Sequence, residues 1–371
     1  MKKMLRSLLR KLAGNPAICH DVEAWIQHHS PGSYQMVHEP IPFTRKLPLA
    51  LGNVIAPDFL DLVQGNTNKV FLGAIKDAHL CGEEGLVVLP DGRFAWDYLT
   101  WDEKRIRETR YFSKYFRFKS NVRKLKGTFF PLNGIWCASY YHWMHDVLQR
   151  LLLVAGRMPE DVKIIVPNTV DSKLLRALES FGLKPDRLVF QGREEILKLE
   201  KLLFAPPPML VGHSAPHYAG RVREKLHGSL SWNRLSRLPR TRLYISRNKA
   251  LSRRLVNEEE VIEGLKSIGF IKIVCEDLNW DQNAQLFLDA EIIVAPHGAG
   301  LANLFFCQPG ISVVEIFPGS VGRRTCYWTL SDALGINYGY VLGNGPLNQH
   351  DDMNVSLQQI FECLALLGVC N

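Results

Sequence analysis

His142, His145 and Asp146 fall within the run Tyr140-Tyr141-His142-Trp143-Met144-His145-Asp146. On a helix, His142 and Asp146 share one face, with His145 one position away. An imidazole or carboxylate so placed suits a general base that takes the proton of an attacking hydroxyl. The same spacing suits a metal, but two histidines and one aspartate need further ligands, and no second cluster in the chain offers them. A capped, packed helix with an internal His–Asp hydrogen bond is the alternative reading.

A second group of residues points to anion binding. The apolar run Ile292 to Ala295 reads as a strand covered on both faces, and it leads straight into His297-Gly298-Ala299-Gly300 and a helix. Gly298 and Gly300 lack a Cβ, so backbone N–H groups there can approach a ligand closely, and the helix start presents its positive end to the same spot. Arg247 directly follows another strand, and Arg253 and Arg254 precede the next helix. Arginine forks match phosphate oxygens, so these loops suit a diphosphate, with a solvated basic loop as the alternative. Glu315 lies inside the apolar strand Val313 to Phe317, where a carboxylate needs a partner: a ribose diol or an internal salt bridge.

The elements that must position these residues alternate regularly from Arg242 onward. Strands are expected at 243–246, 271–275, 292–295, 313–317 and 338–342, with helices at 257–268, 281–290, 299–306, 326–334 and 355–367. Asn257 serves as an N-cap with Glu260 completing a capping box, and Gly269 closes that helix. Repeated β-α-β units imply a parallel, doubly wound sheet with its ligand at the C-terminal strand ends. The first half is less regular: strands at 86–89 and 93–98, one long helix over 139–154, then a second α/β set with strands at 163–166, 188–190 and 202–205 and a helix over 172–181. The fold class is therefore α/β, two lobes facing a cleft. The expected divisions are residues 1–80, a basic segment and extension; 81–215, an N-terminal α/β lobe; 216–240, a linker holding a helix near 218–230; and 241–371, a C-terminal Rossmann-like lobe.

Composition bounds the rest. The chain has 371 residues, 46% of them hydrophobic and 22% charged, as in an ordinary soluble protein. Its net charge of +8 is uneven, because Lys2, Lys3, Arg6, Arg10 and Lys11 crowd the N-terminus. Met4, Leu5, Leu8, Leu9 and Leu12 recur between them at helical spacing, so this end suits either an anionic membrane surface or a frayed basic terminus. No run is long enough to span a membrane, and the N-terminus lacks the features of a signal peptide. Eight cysteines without CxxC spacing imply reduced, mostly buried thiols and a cytoplasmic protein, with a peripheral position at the inner membrane face as the further option. The stretch from Trp101 to Lys126 interleaves ten Lys/Arg with aromatics, which amphipathic strands with solvated basic faces explain without nucleic acid. Met209 to Pro216 imitates a nucleophile elbow around Ser214. Its oxyanion-like loop comes after the serine instead of before it, and Pro216 stands where the elbow needs glycine.

Taken together, the chain resembles the glycosyltransferase 61 family. Three blocks carry the likeness: Tyr141 to Leu151; Leu243 to Arg247 with Arg253 to Glu258; and Ala295 to Asn303 with Val314 to Ile316. Gln149 stands where the family often has proline, and the first ~80 residues show no match. The resemblance implies a GT-B arrangement of two Rossmann-like lobes and inverting transfer from a nucleotide-sugar co-substrate to a glycan or lipid-linked glycan hydroxyl. It also implies a bacterial capsular-polysaccharide type of member, acting in cell-surface polysaccharide synthesis. The chain has no Asp-x-Asp, so metal-independent transfer without a bound cofactor is expected. On this reading Asp146 or His142, with His145 beside them, is catalytic. Arg247, Arg253, Arg254, His297, Gly298, Ala299, Gly300, Asn303 and Glu315 hold the donor. Two other classes stay open: a noncatalytic nucleotide or polyanion-binding protein, and a serine hydrolase using Ser214.

Overall fold

The computed structural model describes residues 17–96, 122–229, 240–322 and 324–369. The basic run Lys2 to Lys11, the aromatic and basic stretch from Trp101 to Asn121, the linker residues 230–239 and Cys370 lie outside them. Two compact units divide the chain, residues 1–41 with 67–211 and residues 42–66 with 212–371.

In the first unit, nine described strands form a mixed sheet. Its long members are Val70–Cys81, Ile196–Phe204 and Val122–Pro131. Ile196–Phe204 runs antiparallel to Val70–Cys81 and parallel to Val122–Pro131; Lys163–Pro167 and Leu188–Gln191 continue the parallel side. The strands Val70–Cys81 and Val122–Pro131 escape the sequence pattern because neither alternates cleanly. The first is buried along most of its length, and the second changes from exposed to buried at its end. Arg123, Lys124 and Lys126 are solvated on that strand, and Arg123 pairs with Glu195 at 3.3 Å. Helix Val22–His29, capped by Asp21, packs Val22, Trp25 and Ile26 into the same core.

The second unit is a six-stranded sheet in the order Phe270–Ile273, Thr241–Ile245, Ala290–Pro296, Ser312–Phe317, Asn337–Leu342, Leu49–Ala50. Every pairing in it is parallel. Ser312–Phe317 is buried at all six positions, which is why it reads as a continuous apolar run broken only by Glu315. Residues 42–66 belong here instead of to an N-terminal extension. Phe59 is fully buried against Trp328 and Tyr340, with ring centroids 5.2 and 5.0 Å apart. Helix Pro216–Ser229, expected within a linker, buries Tyr218, Ala219, Val222 and Leu226 in this unit.

Two local expectations change. Asn257 precedes helix Glu258–Lys266 without capping it. Its Oδ1 instead accepts from Val355 N–H at 3.1 Å, and its Nδ2 donates to Val355 O at 2.9 Å. A two-way bond to another segment's backbone displaces the local cap. The capping box occurs at Asn279 and Gln282, ahead of helix Trp280–Leu288. Among the described residues the cysteines are thiols, all but Cys326 buried, and burial pushes Cys137 and Cys363 up to about 12. No described helix is long and apolar enough to cross a membrane.

After strand Ser312–Phe317 the chain turns through Gly319 at φ 77°, where an added Cβ would lie 2.1 Å from the carbonyl oxygen of Gly345. Backbone opposes backbone there, so no side-chain rotation relieves the clash. Gly319→Ala is expected to destabilise the second unit by about 2 kcal/mol or more, read as a lowered denaturant midpoint; an unchanged midpoint contradicts this packing.

Candidate active site

Arg247 leaves the end of strand Thr241–Ile245 through Ser246, whose hydroxyl donates to Glu258 Oε1 at 2.8 Å. Its Nη2 donates to Ser252 O at 3.0 Å, while its buried Nε has no hydrogen-bond partner among the described residues. Arg253 adopts φ 57°, a left-handed conformation unusual for a side-chain-bearing residue. It is held by its N–H to His350 O at 2.8 Å and by Nε to His297 O at 3.1 Å. Burial lowers the Arg247 guanidinium below its ordinary range, and the positive charge of Arg253 lowers it further. Neither arginine forms an ion pair with a carboxylate among the described residues. Two like charges are therefore held near one another and partly out of water, an arrangement that an anion would relieve.

The glycine turn explains how they fit. Gly298 has φ 178°, extended backbone that any residue adopts, so its requirement is space. A Cβ there would lie 1.6 Å from Arg247 Nη1. The N–H groups of Gly298 and Ala299 have no acceptor among the described residues, and Ala299 is exposed. The segment Ala299–Phe306 is a 3₁₀-helix, tighter than the α-helix expected from the sequence.

Four of the sequence-derived donor residues have other work. Arg254 turns away from the pair to Asp352, donating Nη2 to Oδ2 at 2.7 Å and Nε to Oδ2 at 3.1 Å. Asn303 is 1% exposed and donates to Gly300 O at 2.9 Å, shaping the turn from within. Gly300 packs its Cα face toward Ile245 and Cys275. Glu315 is fully buried: Oε1 lies 2.5 Å from His297 Nδ1, and Oε2 accepts from Tyr338 Oη–H at 2.5 Å. Both carboxylate oxygens are engaged inside the protein, which leaves the ribose reading without an accessible oxygen. The sequence reading missed Tyr338 and also Tyr327, whose ring lies 5.3 Å from that of His297. Both tyrosines sit in apolar patterns that conceal a polar role.

The first unit carries the other group. The expected single helix is three pieces: Tyr140–His142, a wide turn Trp143–Val147 closed by the Leu148 N–H bonding Trp143 O, and Leu148–Ala155. Such i→i+5 turns break the α-helical register and are frequent at functional sites. His142 Nδ1 and Asp146 Oδ2 are 2.7 Å apart, with side chains 17% and 19% exposed. They line a pocket with Asn133, Ile135, Cys137, Arg150 and Val211. The exposed Trp136 ring stands 5.1 Å from that of His142. His145 is 1% exposed, its ring tilted against that of Tyr141 at 4.3 Å, so it faces the core instead of a substrate. Ser214 is fully buried, its N–H donating to Thr329 Oγ1 and its O accepting from Arg45. No nucleophile is presented there, and the hydrolase reading falls.

The second unit thus holds two arginines, Arg247 and Arg253, without a carboxylate partner among the described residues at the strand ends of a parallel sheet, an arrangement that suits an anion. Residues 140–314 match the Glycosyltransferase 61 family. The chain is similar to protein O-linked-mannose beta-1,4-N-acetylglucosaminyltransferase 2 of Xenopus laevis, 28% identical over 138 residues, covering 36% of this chain and 23% of that protein. The protein of the same name from Xenopus tropicalis is 32% identical over 99 residues, covering 25% and 17%. The EGF domain-specific O-linked N-acetylglucosamine transferase of Bos taurus is 27% identical over 93 residues, covering 23% and 17%. The matched stretch thus spans a quarter or less of the length of these relatives.

Two outcomes follow from this geometry. In Gly298→Ala the new methyl meets the end of the Arg247 side chain and not backbone, so the melting temperature should move by less than about 2 °C while pyrophosphate affinity falls several-fold, since the guanidinium must leave its place. Calorimetric titration checks this, and unchanged affinity contradicts it. The Arg254 guanidinium holds the Asp352 carboxyl well below the usual carboxylate range. A depressed folded-state value contributes stability above the unfolded value of about 4 that is lost as pH falls through the folded one. Asp352→Asn should therefore melt about 2 °C or more below the wild type at pH 7, the gap narrowing steadily below about pH 4.

Proposed function

We propose that the chain is an inverting glycosyltransferase that moves a sugar from a nucleotide-sugar donor to a hydroxyl of a glycan acceptor. The observation that carries this reading is the Arg247 and Arg253 pair, placed without a carboxylate partner among the described residues beside a turn where Gly298 makes room. The diphosphate of the donor occupies that place. As the anomeric bond breaks, its electron pair departs with the phosphate oxygen, and the two guanidinium groups with the Gly298 and Ala299 N–H groups stabilise the added charge. An acceptor oxygen bonds to the anomeric carbon from the opposite face, and its proton passes to a general base, for which His142 Nε2 is the candidate. Asp146 holds the imidazole by Nδ1, the role of an orienting carboxylate.

The named relatives transfer N-acetylglucosamine, which makes that sugar the first donor to test; a lipid-linked or cell-surface glycan is the acceptor class that goes with the reading. With the accepted donor, Arg247→Ala should raise donor KM or nucleotide Kd by about 10–100-fold. His142→Ala should lower kcat by about 10²–10⁴-fold with donor affinity kept, and Asp146→Asn should lower kcat in the same sense by less. Nucleotide binding without transfer or hydrolysis of any nucleotide-sugar would instead make the chain a noncatalytic binder. Full kcat in His142→Ala would remove it as the base.

A further inference from the structure

Glu315 carries the most completely buried charge near the arginine pair. Its carboxylate is 0% exposed and touches two groups, the Tyr338 hydroxyl and His297 Nδ1, each at 2.5 Å. An ionised carboxylate removed from water is costly unless a cation pairs with it, and among the described residues no lysine or arginine does so. The tyrosine can donate a hydrogen bond but not a positive charge, whereas the imidazole can supply both. The remaining ring nitrogen, Nε2, has no hydrogen-bond partner among the described residues, and the side chain is 12% exposed. Backbone links tie this ring to the arginines: Arg253 Nε donates to His297 O at 3.1 Å, and the next residue, Gly298, lies against Arg247.

We propose that His297 is a third, cationic hydrogen-bond donor to the donor diphosphate, donating from Nε2–H, and that Glu315 and Tyr338 are positioning residues that hold its ring oriented and protonated. This rests on the reading of Arg247 and Arg253 as diphosphate ligands. Three positive groups and one carboxylate leave a net charge of two, which a diphosphate complements. The imidazolium keeps its proton throughout; it only donates a hydrogen bond. The groups that face it divide in sign. Arg247 and Arg253 disfavour the proton; Glu315 favours it by direct contact; and Tyr327, Phe317 and Tyr338 enclose the ring and the carboxylate in low-dielectric surroundings.

The test uses the full chain and inorganic pyrophosphate as the probe, with affinity measured by calorimetry and His297 followed by ¹⁵N NMR of histidine-labelled protein, assigned with His297→Gln. Bound wild type should show protons on both ring nitrogens at pH 7.5. His297→Gln should weaken binding about 10–100-fold, the effect of one charge-assisted hydrogen bond. Glu315→Gln should weaken it at pH 8 and regain most of the loss at pH 6, where an imidazole without its counter-charge takes up a proton unaided. Tyr338→Phe should weaken it by a smaller factor at both pH values. A structural role alone predicts no recovery at low pH. If Arg247→Ala weakens binding and His297→Gln does not, the His297 role is overturned and the diphosphate site stands. If Arg247→Ala leaves binding unchanged, or the wild type does not bind the probe, the site itself is overturned. Should Glu315→Gln fail to fold, the wild-type ring spectrum decides: a singly protonated ring in the bound state overturns the proposal.

Discussion

The repulsion between Arg247 and Arg253 is the constraint around which the second unit is arranged. Like charges at close range in a half-buried site cost free energy, and here burial and the neighbouring guanidinium both lower the Arg247 affinity for its proton. The fold tolerates this because each arginine is anchored through its own backbone or through one nitrogen, leaving other donors of the fork uncommitted. Arg247 spends Nη2 on Ser252 O; Arg253 spends Nε on His297 O and accepts a left-handed backbone to do so. Arg254, one residue on, is fully committed to Asp352 and takes no part. Three arginines of one loop thus divide into two that hold charge in reserve and one that ties down the loop carrying them.

A parallel sheet makes that reserve possible. Strands Thr241–Ile245, Ala290–Pro296 and Ser312–Phe317 are neighbours in register and end on one edge, so loops distant in sequence meet there. Gly298 is then required for a steric reason: its missing Cβ is the volume the Arg247 fork occupies. Helix polarity contributes less than the sequence suggests, because Ala299–Phe306 is 3₁₀. Arginine forks and backbone N–H groups carry most of the positive potential at this edge.

The sequence disclosed the second unit well, since continuous apolar strands alternate with capped helices and their ends coincide with Gly and Arg. Cys326–Leu334 is a helix at its expected bounds. The first unit was harder to read. Its longest strand, Val70–Cys81, mixes burial on both faces with a charged pair, Lys76 and Asp77, which imitates no simple period. Residues 42–66 contribute strands of two or three residues, below the length at which alternation registers. At the candidate site, the types and approximate positions of Arg247, Arg253, Gly298, His142 and Asp146 were legible, whereas the partners of Arg254, Asn303 and Glu315 were not. Asp352 and Tyr338 are set by tertiary contact, which local spacing does not encode, while the Asn303 bond to Gly300 depends on the 3₁₀ turn that replaced the expected α-helix.

Two histidine–carboxylate pairs occur among the described residues, and burial separates their surroundings. His142 and Asp146 meet across a widened helical turn, each still partly open to water, so hydration shares the carboxylate charge. His297 and Glu315 meet across neighbouring strands with the carboxylate fully enclosed. Water cannot solvate that carboxylate, so His297 and Tyr338 are the partners that hold it. The proposed general base thus sits in the pair that water reaches, and the proposed hydrogen-bond donor to the diphosphate in the enclosed one. An enzyme that must both deprotonate an acceptor and receive a departing diphosphate has use for one of each.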